Sequence, residues 1–428
     1  MPLVPPAALA PLLAAPAAIL GAGVSGEGAR ALLGAFGAAS ALYDARGAEF
    51  TAAAAARHRL VIYSPGFAPD HPWLARARAA GAECLPELDL AALAWRGRIL
   101  AITGTNGKTT LTEFLTHALG RQGVRASATG NIGRAFSALA AEAGGGDPSW
   151  VAVCEVSSFQ AESLRHFRAE AALWTNFAED HLERHRSLPA YFAAKASLAA
   201  RSERVFAGSS VRRYAVQSAA AVPGRCQWVD TEGQAPDPAL AGTVFADYPQ
   251  RENYLLGAAW WREQGYAPAA LAAAAASFRL GRHRLARVAA RGGVTYWNDS
   301  KATNFHAVEA ALARFPAPVL LIAGGKSKGG DLAGFAGRIA PRVRRAWLIG
   351  ETRHALAAAL AVAGVDHVVS DSLAAAVRGA AAVARPGDQI LLSPAFSSFD
   401  QFRNYEDRGD QFERLVRESL DAPAAVVS

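Results

Sequence analysis

The residues best suited to chemistry are Gly104-Thr105-Asn106-Gly107-Lys108-Thr109-Thr110, which follow the apolar run Ile99-Leu100-Ala101-Ile102-Thr103. A strand that feeds a glycine-bracketed turn into a helix start gathers backbone N–H groups around an anion, and the helix dipole adds partial positive charge. Lys108 is placed to reach terminal phosphates and the Thr109 hydroxyl to sit on Mg²⁺. The P-loop pattern is incomplete, because its first glycine position is Ile102. A second candidate is Glu155, which interrupts the apolar strand Trp150–Val156. A carboxylate there needs a partner. It reads as a metal-bound acid at the strand's end beside the phosphate loop, with an Arg ion pair as the alternative. His181 and His185 stand four apart, but no HExxH motif accompanies them.

Lysine usage sharpens the choice of residues. Of 44 basic residues, five are lysine (Lys108, Lys195, Lys301, Lys326 and Lys328) and 39 are arginine. A chain that uses Arg for generic cations keeps Lys where a compact ammonium or a modifiable amine is required. Lys195 stands alone on an Ala-rich helical stretch, and the other four fall in Gly-, Asp- or Asn-rich stretches.

The elements that must position these groups read as α/β throughout. Ala18-Ile19-Leu20 ends in Gly21-Ala22-Gly23-Val24-Ser25-Gly26, with a helix to about Phe36, a second strand ending at Asp44 and a third strand, Leu60–Tyr63, before Ser64-Pro65-Gly66. GxGxxG followed by an acid matches a dinucleotide fingerprint. NAD binding is one reading; Arg46, just past Asp44, suits a phosphate or uracil partner equally. A second unit starts at Arg98 and includes the turn Gly130-Asn131-Ile132-Gly133 and the strand Ala171–Asn176. Leu255–Arg279 reads as one Ala-rich helical stretch, and Gly281-Arg282-His283-Arg284 as a junction. The last unit carries Asn298-Asp299-Ser300-Lys301-Ala302-Thr303-Asn304, the strand Val319–Ala323 leading into Gly324–Asp331, the strand Ala346–Ile349 and the strand Gln389–Leu392. Alternation of strands and helices implies parallel sheets, with ligands at the carboxyl ends of the strands. The expected division is 1–97, 98–280 and 281–428.

Composition excludes other classes. At 428 residues, two or three domains are expected. No apolar run of about 18 residues is present, so no membrane span is expected. Residues 2–20 read as a lead-in to the first strand and not as a cleaved signal. Three cysteines without CxxC spacing suit a reducing cytoplasm. The net charge of +7 is scattered, which fits anionic small substrates and not nucleic acid. No GxSxG elbow is present.

Taken in order, the phosphate loop, Gly130–Gly133, Glu155-Val156-Ser157-Ser158-Phe159-Gln160, Asn176–His181, His283-Arg284, Asn298–Asn304 and Leu392–Phe402 resemble the Mur ligases of peptidoglycan synthesis. The resemblance covers nearly the whole chain. Relatives that add lysine or diaminopimelate carry Asp-Asn-Pro-Arg, which is missing here, and folylpolyglutamate synthases lack a preceding UDP-binding domain. The resemblance implies three domains: a Rossmann-like UDP-binding domain, a P-loop ATPase-like central domain and a Rossmann-like C-terminal domain. It implies a monomeric, cytoplasmic ligase. ATP phosphorylates the carboxylate of UDP-N-acetylmuramoyl-L-alanine, and the amine of glutamate, D or L, attacks the acyl phosphate.

The resemblance also implies roles. Gly104 to Thr110 with Asn253, Arg284 and Asp299 would bind ATP. Thr109, Glu155, His181 and a carbamylated Lys195 would hold two Mg²⁺, and Lys108, Glu155, His181 and Lys195 would serve catalysis. Val24, Ser25, Asp44, Arg46, Ser64, Gly66 and Asn131 would take the UDP substrate. Lys301, Thr303, Lys328, Ser398, Phe399 and Tyr405 would take the amino acid. Leu256 stands where the family often has a second Asn, and Tyr405 where Phe is common. On this resemblance the GxGxxG turn binds UDP and not NAD.

Overall fold

A computed structural model describes residues 3–421; the outermost residues of the expected first and last domains lie outside it. The first sheet comprises β1 (Ala17–Leu20), β2 (Ser40–Tyr43), β3 (Leu60–Tyr63) and β4 (Glu83–Pro86), all parallel in the order β2-β1-β3-β4. The second comprises β5 (Arg98–Thr103), β6 (Ala126–Gly130), β7 (Val151–Glu155), β8 (Ala169–Trp174), β9 (Ser202–Ala207) and β10 (Arg225–Trp228), parallel in the order β10-β9-β8-β5-β7-β6. Parallel pairing forces helical crossovers onto the faces, so the central strands are apolar on both sides. All five residues of β7, Glu155 included, are buried.

The third sheet comprises β11 (Ala286–Arg291), β12 (Val294–Asn298), β13 (Val319–Gly324), β14 (Val343–Ile349), β15 (Asp366–Val369) and β16 (Gln389–Leu392), in the order β11-β12-β16-β13-β14-β15. It is mixed. β11 runs antiparallel to β12, because only Gly292-Gly293 joins them and a tight hairpin cannot make a parallel crossover. The Ala-rich helical stretch expected over Leu255–Arg279 is carried by two helices, Gln250–Glu263 and Pro268–Ser277. Gly265, at φ +76°, ends the first, and Pro268 opens the second, where its missing N–H costs nothing.

The described residues fall into two compact units: one of residues up to 177 with 189–278, the other of residues 178–188 with those from 279 onward. The first unit contains the first two sheets; the second contains the third sheet.

Two helices decide where the chemistry sits. Lys108–Arg121 buries Leu111, Phe114, Leu115, Ala118 and Leu119, one face at helical spacing. Phe114 packs at a tilt against Phe245, centroids 4.3 Å apart, and edge-on against Phe278 at 5.4 Å. Each large buried side chain contributes roughly 1.5–3 kcal/mol, which holds the helix start rigidly at the end of β5. In the second unit, helix Tyr405–Asp421 docks through Phe412, Val416 and Arg408, all fully buried. Arg408 donates from Nε to Ser300 Oγ (3.0 Å), and from Nη2 to Ser300 O (2.9 Å) and Phe396 O (3.3 Å). Burial pulls its guanidinium down to about 10.

Arg408→Met removes the donors to two buried carbonyls and should cost about 2–4 kcal/mol. Arg408→Lys should recover little, since a point ammonium cannot span both loops. Thermal melts of the three proteins decide this; equal midpoints for wild type and Arg408→Met would refute it.

Candidate active site

In the first unit the phosphate loop closes on itself through backbone groups. Lys108 begins its helix, and its Nζ donates to Gly104 O and Thr105 O, both at 2.9 Å. Gly107 lies at φ +82°, and a Cβ there would sit 2.3 Å from Asn253 Oδ1, so only glycine fits. The same contact brings Asn253 to the loop, although it is far away in sequence. Asn253 Nδ2 donates to Gln250 Oε1 (2.9 Å). Asn176 braces the loop from β8: its Oδ1 accepts from Asn106 N (2.8 Å), while Thr175 Oγ1 donates to Asn106 O (2.6 Å). Lys195, on helix Leu188–Ala199 and 1 % exposed, donates to Gly104 O (2.8 Å). Leu256 is fully buried, so it adds to the core and not to the loop's surface.

Strand register delivers Glu155 to the same edge, since it pairs with Ile102 of β5 on one side and Gly130 of β6 on the other. Asn131 N donates to Glu155 O (2.8 Å), and Asn131 Nδ2 donates to Glu155 Oε1 (3.1 Å). Oε2 is buried with no hydrogen-bond partner among the described residues. A buried carboxylate oxygen left unpaired costs free energy. That orphan oxygen, beside a helix start that carries Thr109, is a donor set of the hard type Mg²⁺ prefers.

At the first sheet, Asp44 accepts from Ala22 N through Oδ2 (3.0 Å) and from Arg46 N through Oδ1 (3.0 Å). These two backbone bonds, Arg46 first, hold its carboxyl below the usual range. Asp44 therefore ties the glycine turn to the end of β2. Val24 is exposed at the start of its helix, Ser25 and Ser64 are half-buried, and Arg46 and Gly66 are exposed.

The second unit carries the remaining residues. A small cleft is lined by Asp180, Thr303, Asn304, Lys328 and Phe396 among others. Lys328 Nζ lies 3.5 Å from Asp180 Oδ1 and 3.4 Å from Thr303 Oγ1, and Asn304 Nδ2 donates to Asp180 Oδ2 (3.0 Å). His181, at φ +56°, points Nε2 to within 3.6 Å of Asp180 Oδ2. The structure therefore brings Thr303 and Lys328 together. Lys301 lies elsewhere, 3.7 Å over the Tyr405 ring, and neither lines this cleft. Ser398 is buried and Phe399 is 69 % exposed; both also lie off the cleft. Asp180, Asn304 and Arg408 complete the surroundings. The first two stand inside motifs visible in the sequence, whereas Arg408 is one arginine among 39 and had no signal.

Asp299 directly follows β12 and is buried. Its Oδ1 accepts from Leu285 N (3.0 Å) and its Oδ2 from Ser393 Oγ (2.9 Å). Burial pushes its carboxyl up to about 7, against the weaker pull of those two bonds and of Arg284.

Three parallel-rich sheets, with a phosphate loop on the middle one and polar loops at the carboxyl ends of the others, define an α/β ligase of the Mur type. The chain matches the Mur ligase middle domain over residues 102–208 and the Mur ligase glutamate ligase domain over residues 283–396. It is 37 % identical over 382 residues to the UDP-N-acetylmuramoylalanine–D-glutamate ligase of Solibacter usitatus, covering 83 % of this chain and 84 % of that one. It is also 37 % identical to the enzyme of the same name from Gloeobacter violaceus, covering 93 % and 98 %. The chain belongs to the Mur ligase family. Its fold resembles the UDP-N-acetylmuramate–alanine ligase MurC of Thermotoga maritima at a TM-score of 0.62 and 17 % identity, covering 95 % of this chain and all of that one. It also resembles the MurF ligase of Thermotoga maritima, solved with ADP, at 0.58 and 16 %, covering 84 % and 95 %. The Solibacter usitatus and Gloeobacter violaceus relatives both bear the name of a D-glutamate-adding ligase.

The Asp299 carboxyl, near 3.8 when unfolded, reaches about 7 when folded, so the folded form binds the proton more tightly. Its stabilising contribution is full below the unfolded value and is lost as pH rises through the folded one. Urea midpoints should therefore fall between about pH 4 and 8 more steeply for wild type than for Asp299→Asn. Parallel pH profiles would contradict this.

Proposed function

We propose that this chain adds D-glutamate to UDP-N-acetylmuramoyl-L-alanine, spending ATP and passing through an acyl phosphate. The observation that carries the reading is the phosphate-loop helix start beside the half-paired, buried Glu155. The relatives' names supply the particular substrates. On this reading residues 1–97 take the UDP end through Val24, Ser25, Asp44, Arg46, Ser64 and Gly66. Residues 98–280 take ATP on the phosphate loop and Asn253, and residues 281–428 add Arg284, Asp299 and the amino-acid site. The enzyme acts as a cytoplasmic monomer. Among the described residues all three cysteines are free, and no helix is long and apolar enough to cross a membrane.

The residues then divide the work. Lys108 holds the terminal phosphates as a point charge, and the helix start aims backbone N–H groups at them. Thr109 and Glu155 Oε2 would hold one Mg²⁺, with His181 and a carbamylated Lys195 at a second site. Bound Mg²⁺ supplies charge neutralisation on the transferring phosphoryl group. Asn131 fixes Glu155 from one side and meets the reacting end of the UDP substrate on the other. Lys328 and Thr303 bind one glutamate carboxylate; Lys301, Ser398, Phe399 and Tyr405, which stand off that cleft, are assigned to the rest of the amino acid by the family resemblance alone. Asp180 orients Lys328.

A carbamate on Lys195 keeps one N–H, which can still donate to Gly104 O, and it presents anionic oxygens where an ammonium would repel a metal. Arg cannot form it. Lys195→Arg should therefore lose nearly all phosphate release, and a crystal structure should show density beyond Nζ. Full activity of the variant, or a bare amine in clear density, would remove the carbamate.

The function itself is tested by kcat/KM for D-Glu, L-Glu, D-Gln, D-Asp and L-Lys with UDP-N-acetylmuramoyl-L-alanine at saturating ATP. D-Glu should lead, because a charged bond to a side-chain carboxylate contributes about 1.5–3 kcal/mol that glutamine forfeits. Lys328→Ala should raise the glutamate KM with less effect on that of ATP. Comparable rates for lysine and glutamate would overturn the substrate assignment, and L above D only its handedness.

A further inference from the structure

The short helix Phe136–Glu142 follows directly on the loop that carries Asn131, and its own N-cap residue, Ala135, offers no side-chain cap. The orphan N–H groups at a helix start need an acceptor. One comes from the first sheet's side of the unit. Glu87, the residue after β4, is 2 % exposed, and its Oε1 accepts from Ser137 N (2.7 Å) and Ser137 Oγ (2.6 Å). The approach is close on a second front. On the helix Val24–Ala35 that leaves the glycine turn, a Cβ at Gly28 would sit 2.7 Å from Ala135 Cβ and 2.7 Å from Ser137 Oγ. The loop itself is short and pinned at both ends. Thr129 Oγ1 donates to Arg134 O (3.0 Å), and Asn131 makes its two bonds to Glu155.

We propose that Glu87 is a positioning residue for the reaction: it fixes the downstream end of the 130–136 loop, and through it the amide of Asn131 and the carboxylate of Glu155. The inference rests on the reading of Asn131 as the residue that meets the reacting end of the UDP substrate. It goes further by making the UDP-binding sheet itself the frame that sets where that end lies. A half-paired carboxylate such as Glu155 has one acceptable orientation only while Asn131 is held. Asn131 is held only while its loop cannot slide, and Ser137 is the loop's downstream anchor.

The test uses the full-length enzyme. Glu87→Ala removes the acceptor; Glu87→Gln keeps an oxygen able to accept from both Ser137 donors; Ser137→Ala removes one donor and leaves the fold's apolar packing alone. Misplacing a reacting group by a fraction of an ångström costs rate, so Glu87→Ala should lower kcat about tenfold and raise the KM for UDP-N-acetylmuramoyl-L-alanine by about as much. Ser137→Ala should shift both in the same direction by less. The KM values for ATP and glutamate, and the Kd for UDP alone, should stay within about twofold, since Asp44 and Ser64 are untouched. Glu87→Gln should return to within about threefold of wild type. Hydrogen exchange of the 129–139 amides should speed up in Glu87→Ala and not in Glu87→Gln. A fall in kcat with every KM unchanged and no local gain in exchange would mark Glu87 as a purely structural cap and overturn the proposal. So would wild-type kinetics in Glu87→Ala and Ser137→Ala, or a Gln variant as impaired as the Ala variant. Wild-type failure to turn over the UDP substrate would instead sink the functional reading, while the exchange measurement would still decide whether Glu87 holds the loop.

Discussion

Glu155 is the constraint around which the first unit is arranged. It is charged chemistry placed inside a five-residue strand with no exposed position, and the sheet register leaves it no freedom to leave. One oxygen is satisfied by Asn131 and the other is not. A native fold tolerates such a group when binding supplies the missing partner. The phosphate loop has braces of its own: the Asn176 amide and the Thr175 hydroxyl take up the backbone N–H and carbonyl of Asn106, and the Lys195 ammonium donates to Gly104 O.

The second unit solves the opposite problem. Its cleft pairs Lys328 with Asp180 at 3.5 Å, and Asn304 holds the other oxygen of Asp180. A zwitterionic amino acid carries both signs, so a cleft that offers an ammonium next to a carboxylate can meet both without leaving either buried and alone. Arg408 acts beneath the neighbouring loops, where its planar fork reaches the carbonyls of Ser300 and Phe396 at once. Those residues directly precede Lys301 and Ser397, so the helix that carries Arg408 also sets the two loops on which the proposed amino-acid residues stand.

Much of this was legible in the chain. The phosphate loop, the strand ending at Glu155 and the glycine turn near Asp44 are local patterns, where turn chemistry and apolar runs speak directly. The gaps are of two physical kinds. Leu255–Arg279 looked continuous because alanine-rich sequence is helical on either side of Gly265, and periodicity alone does not register a left-handed break. Residues such as Glu87, Asp180 and Arg408 act across 50, 148 and 108 positions, on Ser137, Lys328 and Ser300 respectively. Their partners are set by packing, and no spacing rule reaches that far.

The lysines show how far composition can go. Arginine fills the sites where a planar fork meets a carboxylate, as in the paired bonds of Arg213 to Glu232 and Arg344 to Asp388, 2.7–2.8 Å each. Lysine fills sites of another geometry. Lys108 bends back to two carbonyls of one turn, Lys195 reaches a carbonyl from full burial, Lys301 lies on an aromatic face, and Lys328 sits between a carboxylate and a hydroxyl. A compact ammonium on a long stem enters such cages, while a guanidinium would have to displace their walls. Lys326 is the instructive exception. It is bridged to Ser397 through its backbone alone, donating to Ser397 O at 2.8 Å and accepting from Ser397 N at 3.2 Å, with its side chain exposed. Those bonds would serve any residue other than proline. Scarcity therefore marks a lysine as worth examining, and only the cage around the ammonium shows that the choice of lysine was physical.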